Sequence, residues 1–83
     1  MKLSKYTKFR EEKFGAVLFE TRSEKVFTLN PSAAAVVREI TGGGDLPLIL
    51  ARLRERFQDS QQAIEREALA FIGELRDQGL IED

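Results

Sequence analysis

Cysteine, histidine and tryptophan are absent from this 83-residue sequence, which also holds only two Pro and one Tyr. Without Cys there is no disulfide, thiolate nucleophile, iron–sulfur cluster or sulfur-ligated zinc, and without His the usual general base near neutral pH is missing. Any catalysis has to run on carboxylates, Lys or hydroxyls. Long apolar runs are lacking and residues 1–13 are charged throughout, so neither a signal peptide nor a bilayer span is expected, and the protein reads as soluble and cytoplasmic. A chain of this length has room for one small domain, residues 1–83, burying about 60–65% of the surface that its unfolded form exposes. That leaves nothing spare for a deep substrate cavity. Residues 1–7 are expected to be a flexible N-terminal segment.

Net charge is −1, yet residues 1–30 hold seven basic and four acidic side chains whereas residues 31–83 hold six and ten. A nucleic-acid binder gathers Lys and Arg on the element that meets phosphate, so this balance speaks against that role.

The hydrophobic period changes once, near Asn30. Before it, Phe14 to Glu20 (FGAVLFE) and Lys25 to Leu29 (KVFTL) are short runs rich in Val, Phe and Thr. The polar Thr21-Arg22-Ser23-Glu24 between them reads as a hairpin loop. A four-residue loop pairs Glu20 with Lys25, Leu18 with Phe27 and Ala16 with Leu29 on one face, and Phe19 with Val26 and Val17 with Thr28 on the other. Both faces are apolar, which fits a strand covered on both sides equally well as a face that awaits a partner. Residues 8–13 add a preceding strand. After Asn30 the period is helical: Asn30 is a good N-cap and Pro31 suits the first helical position. Ala33, Val36, Val37 and Ile40 form a stripe, and Gly42-Gly43-Gly44 stops that helix. Asp45 caps a second helix, with the stripe Leu46, Ile49, Leu50, Leu53 and Phe57. Ser60 caps a third, which Gly79 ends before an extended tail, Leu80-Ile81. The expected fold is α+β and winged-helix-like, a three-stranded antiparallel sheet followed by three helices.

Two surfaces are left over. Strand one carries Lys8, Arg10, Glu11, Glu12 and Lys13, charges that discourage unwanted pairing, whereas strand three, Val26-Phe27-Thr28-Leu29, has no charge after Lys25. In a meander its edge is free to accept an extended segment unless a loop or the C-terminal tail covers it. On the third helix, taken at 100° per residue from Ile64, Ala68, Phe71 and Leu75 lie within about 40° and make a core stripe. Ile72 and Leu69 fall at about 80° and 140°, on a flank with Arg76. Ile72 either widens the core or joins that flank. Two branched apolar side chains and an Arg there can grip an apolar peptide with an acidic group nearby.

Motifs for chemistry are missing. The glycine triplet follows a helix and lacks the P-loop Lys. Glu11-Glu12 and Glu82-Asp83 sit in solvated stretches where nothing separates their pKa values. Arg52, Arg54 and Arg56 alternate along a helix and so do not share a face. Neither a catalyst nor a cofactor or metal site is expected. Three strands and three helices also suit a winged-helix DNA-binding regulator, but its third helix carries Glu65, Glu67, Glu74 and Asp77 against Arg66 and Arg76, a net repulsion from phosphate.

The segment Leu29-Asn30-Pro31-Ser32-Ala33, the helix ended by the glycine triplet, the stripe Ile49, Leu53, Phe57, and the closing Phe71-Ile72, Leu75 and Gly79-Leu80-Ile81 resemble the PqqD-like family. Its members are peptide chaperones, or recognition elements, for ribosomally made and post-translationally modified peptides. Pro47 departs from the pattern, standing where members often have an acidic residue. The resemblance implies a domain that catalyses nothing itself. It binds the leader of a precursor peptide and delivers it to a modifying enzyme, commonly a radical S-adenosylmethionine maturase. It further implies that the leader adds a strand beside the third strand and lies against the third helix. Position by position that names Val26, Phe27, Thr28 and Leu29 for strand pairing and Leu69, Ile72 and Arg76 for the helix side.

Overall fold

The computed structural model describes residues 1–58 and 61–82. A two-residue strand, β1 (Lys2–Leu3), leads into β2 (Thr7–Glu12), β3 (Gly15–Glu20) and β4 (Lys25–Leu29). The last three form an antiparallel meander in sequence order. Every pair expected of the hairpin is present, from Glu20 opposite Lys25 to Ala16 opposite Leu29. Period-two alternation and a four-residue polar loop leave no other register that keeps Leu18 and Ala16 inside. Three helices follow: α1 (Pro31–Thr41), α2 (Leu46–Arg56) and α3 (Gln61–Asp77).

The helix ends obey the rules that located them. Asn30 Oδ1 accepts from Ala33 N at 2.8 Å, and Asp45 Oδ1 accepts from Leu48 N at 3.1 Å. Gly42 N and Gly43 N donate back to Arg38 O and Ile40 O, with Gly43 at φ +85°. At the end of α3, Leu80 N donates to Leu75 O at 2.9 Å and Gly79 N to Arg76 O at 3.0 Å, closing the last carbonyls as a C-terminal cap requires. Ser60, expected to cap α3, lies outside the described residues.

Residues 1–7, expected to be a flexible segment, include a short paired strand. Lys2 and Leu3 pair with Glu82 and Ile81 of a final strand, β5 (Ile81–Glu82), and Ser4 N donates to Leu80 O at 2.9 Å. Leu3 packs on the core, Thr7 is buried, and the Ser4 and Thr7 hydroxyls share a 2.7 Å hydrogen bond. Apolar contact at Leu3 and Ile81 offsets the entropy of ordering both chain ends.

The core lies between one face of the sheet and the helices. Ala16, Leu18 and Leu29 from the sheet meet Val36, Val37 and Ile40 of α1, Ile49 and Leu53 of α2, and Ile64, Ala68 and Leu75 of α3. The opposite face is open, with Val17 and Phe19 half-buried and Val26 62% exposed. Of the two arrangements that the apolar hairpin permits, the fold takes the one with a single covered face.

The loop before β4 is held by one carboxylate. Glu20 accepts from Ser23 Oγ at 2.6 Å, Ser23 N at 2.9 Å, Arg22 N at 3.0 Å and Arg22 Nε at 3.2 Å. These donors, the Ser23 hydroxyl foremost, lower its pKa from the ordinary 4.5 to about 2. A carboxylate held below its unfolded value stabilises the fold above pH 4.5, and that contribution is lost as pH falls toward about 2. Thermal melts of Glu20→Gln are therefore expected to lie below wild type at neutral pH and to converge with it as pH approaches about 2. A constant gap across that range would show that the loop bonds do not depend on the charge.

Candidate functional site

β4 ends the meander, so its outer edge carries backbone N–H and C=O groups with no partner strand among the described residues. The chain's own extended tail does not cover this edge, because Ile81–Glu82 is engaged by β1. An edge strand of this kind is a template for another chain unless something protects it. Lys25 is the only charged residue of β4.

Beside the edge runs a groove of about 330 Å³, walled by Phe27, Thr28 and Leu29 of β4, by Phe71, Glu74, Leu75 and Asp77 of α3, and by Gln78 and Leu80 beyond it. A second groove of about 190 Å³ continues from it at Phe71, between Asn30, Ala33 and Val36 at the start of α1 and Ile64, Glu67 and Ala68 of α3. Phe71 is half-buried and belongs to both. The two together follow α3 along its length, starting where the β4 edge is open.

The structure brings Phe27, Thr28 and Leu29 to this groove; Val26 belongs to the same edge but turns its side chain to the open face of the sheet. Leu29 is a core side chain, so only its backbone and one wall are on offer. Leu69, Ile72 and Arg76, expected on the helix side, are not among the residues that wall it. Ile72 is 4% exposed and widens the core stripe, while Leu69 is 43% exposed on the far side. From Ile64, the exposed and half-buried groove residues Phe71, Gln78, Glu67, Glu74 and Asp77 lie at about −20° to −140°, whereas Ile72, Arg76 and Leu69 lie at about +80° to +140°. A helix buries its middle stripe and leaves two flanks, and its sequence does not say which one faces the sheet edge. The wall that does line the groove has a readable signal: Glu67, Phe71, Glu74 and Gln78 repeat at helical spacing on one side.

The electrostatics of the groove are one-sided. Glu67, Glu74 and Asp77 are exposed carboxylates on its α3 wall, and no Lys or Arg lines either part. Among the described residues, no cluster of three or more acidic side chains is arranged to hold a metal ion, and no helix is long and apolar enough to cross a membrane. What the site offers among the described residues is unpaired backbone hydrogen-bonding groups along β4, apolar contact in the groove and three exposed carboxylates on its α3 wall.

Comparison with known proteins agrees with this architecture. The family described as coenzyme PQQ synthesis protein D (PqqD) matches residues 15–81, from the first residue of β3 to the first of β5. The chain belongs to the PqqD family. A relative named PqqA binding protein, from Azotobacter vinelandii (strain DJ / ATCC BAA-1303), is 39% identical over 59 residues, which are 71% of this chain and 63% of that protein. The chain thus spans somewhat less than two thirds of the length of that relative. Two solved structures share the fold over 99% of this chain. One is TbiB1 in complex with the TbiA(beta) leader peptide, with a TM-score of 0.85 at 18% identity over 95% of that chain. The other is lasso peptide synthetase B1 complexed with the leader peptide, with a TM-score of 0.80 at 22% identity over 96% of that chain. At such identities these two establish the arrangement of strands and helices and nothing further.

Proposed function

We propose that this PqqD-family domain binds the leader of a precursor peptide as an added strand on β4, packed against α3, and presents it to a modifying enzyme without catalysing a reaction itself. The observation that carries this reading is the open β4 edge beside an apolar groove. Main-chain bonds to the edge supply affinity, and the pocket between Phe27, Phe71 and Leu80 supplies choice of side chain. The names of the relatives lend support, since one is a PqqA binding protein and two are leader-peptide complexes. The modifying enzyme in this reading is a radical S-adenosylmethionine maturase, and the site of action is the cytoplasm.

DNA binding is not favoured. α3 would present Glu67, Glu74 and Asp77 to phosphate from its groove side. A complex with several phosphate contacts loses about 10³–10⁵ in affinity between 50 and 200 mM salt, a dependence that strand addition lacks.

The test is a titration of labelled protein with the leader of a short precursor encoded beside its gene, followed by amide shifts. The expected shifts concentrate at Val26 to Leu29 and at Phe71, and alternate β4 amides gain protection from hydrogen exchange as new ladder bonds form. Shifts at Leu69 and Arg76 with β4 amides unmoved would overturn the strand-addition geometry.

A further inference from the structure

The paired grooves are walled by apolar side chains, small polar groups and three carboxylates. None of Glu67, Glu74 and Asp77 enters an ion pair among the described residues. By contrast Glu65, toward the other side of α3, is bridged to Arg54, and Glu39 of α1 lies near both Arg52 and Arg56. The domain therefore neutralises many of its carboxylates internally and leaves these three along the groove. Resting on the strand-addition reading above, we infer that the guest segment is cationic on the side that faces α3, and that Glu67, Glu74 and Asp77 select it.

The physical reason is complementarity at a partly desolvated edge. A guest lying on Phe71 and Leu80 displaces water from the neighbouring carboxylates, which raises their cost unless a cation replaces that water. An acidic guest meets three like charges on an apolar floor, where the effective dielectric is lower than in bulk and repulsion is stronger. An Arg76-lined flank implies an acidic guest; the groove that the fold builds implies the opposite. Spacing narrows the class further. Along α3, Glu67 lies about 13 Å from the midpoint of Glu74 and Asp77 at 1.5 Å per residue. Four residues of extended strand rise about 13 Å, and residues four apart share a face. The selected pattern is therefore a Lys or Arg at two positions four residues apart, with an apolar residue between them on the same face to meet Phe71.

The experiment is a display selection of random peptides, roughly 12 residues long so as to span the groove in extended form, against the wild-type domain. The tightest peptide is then measured against Glu67→Lys and Glu74→Lys, singly and combined, and against its own Lys→Glu counterpart. Enrichment of Lys and Arg over Asp and Glu is expected among peptides that shift the Val26 to Leu29 and Phe71 amides. The double variant should weaken the best peptide by about tenfold at low salt, less at about 0.5 M NaCl, and the charge-swapped peptide should recover affinity for the double variant. Binders that shift those amides without cationic enrichment, or that ignore both reversals, would overturn the charge selection and leave strand addition standing. Selected binders that leave β4 and Phe71 unmoved would remove strand addition and the charge selection with it.

Discussion

Gly15→Ala is expected to cost the domain most of its stability. A Cβ at Gly15 would stand 2.1 Å from Leu29 O and 2.8 Å from the Asn30 carbonyl carbon, and the residue sits at φ +147°, a conformation that alanine rarely adopts. Both obstacles are backbone, so no side chain can rotate out of the way. Only a shift of the β3 start away from the β4–α1 junction makes room, and that junction also carries the Asn30 cap. The expected loss is about 4 kcal/mol or more, in the range where single substitutions are diagnostic. A domain of this size holds on the order of 4–12 kcal/mol in total. Circular dichroism melts would show a protein largely unfolded or with its midpoint lowered by tens of degrees. Gly43→Ala is the control. Its φ of +85° is also left-handed but no atom lies within 4 Å of the added carbon, so a loss of about 1 kcal/mol is expected. Equal melting points for the two variants would show that the close approach at Gly15 is not what demands glycine.

On the strand-addition reading proposed above, Phe71→Glu is expected to weaken leader binding by roughly thirtyfold or more while Leu69→Glu leaves it unchanged. Phe71 joins the two grooves and is half-buried, so the substitution removes the apolar floor and places a fourth negative charge beside Glu67 and Glu74. The loss is about 2 kcal/mol or more, roughly thirtyfold in affinity, as for a central anchor in an interface. Leu69 is already exposed and lies outside the groove walls, so a charge there perturbs neither fold nor site. Because Phe71 also packs on the core, melts of both variants accompany the binding isotherms, and Phe71→Ala separates loss of contact from added charge. Weakened binding by the Leu69 variant, with Phe71→Ala unaffected, would return the site to the flank chosen from helical angles alone.

The two outcomes at α3 illustrate how far residues speak for themselves. The core stripe Ile64, Ala68 and Leu75 followed from spacing, because burial of a helix is governed by its own period. Ile72, at about 80° from Ile64, joined that stripe, whereas Phe71, at about −20°, proved to be its border and the floor of the groove. Neither assignment follows from angle, since it depends on which neighbour each flank meets. The hairpin is the opposite case. Pairing between β3 and β4 was legible down to individual residues, because a loop of fixed length and an alternation of period two determine each other between Gly15 and Leu29. The union of β1 with β5 left almost no trace, since two-residue strands at opposite ends of the chain carry no periodicity at all.

Local chemistry by itself therefore determined the caps at Asn30 and Asp45, the glycine stops, the strand register and the absence of Cys and His chemistry. Each of these is settled by residues within a turn or a hairpin of one another. Tertiary structure decided which face of the sheet stays open, which flank of α3 borders the β4 edge, and that the C-terminal tail joins β1 rather than closing that edge. Those outcomes depend on how packed elements are oriented across the core, and that orientation is a property of the whole fold rather than of any segment's own period.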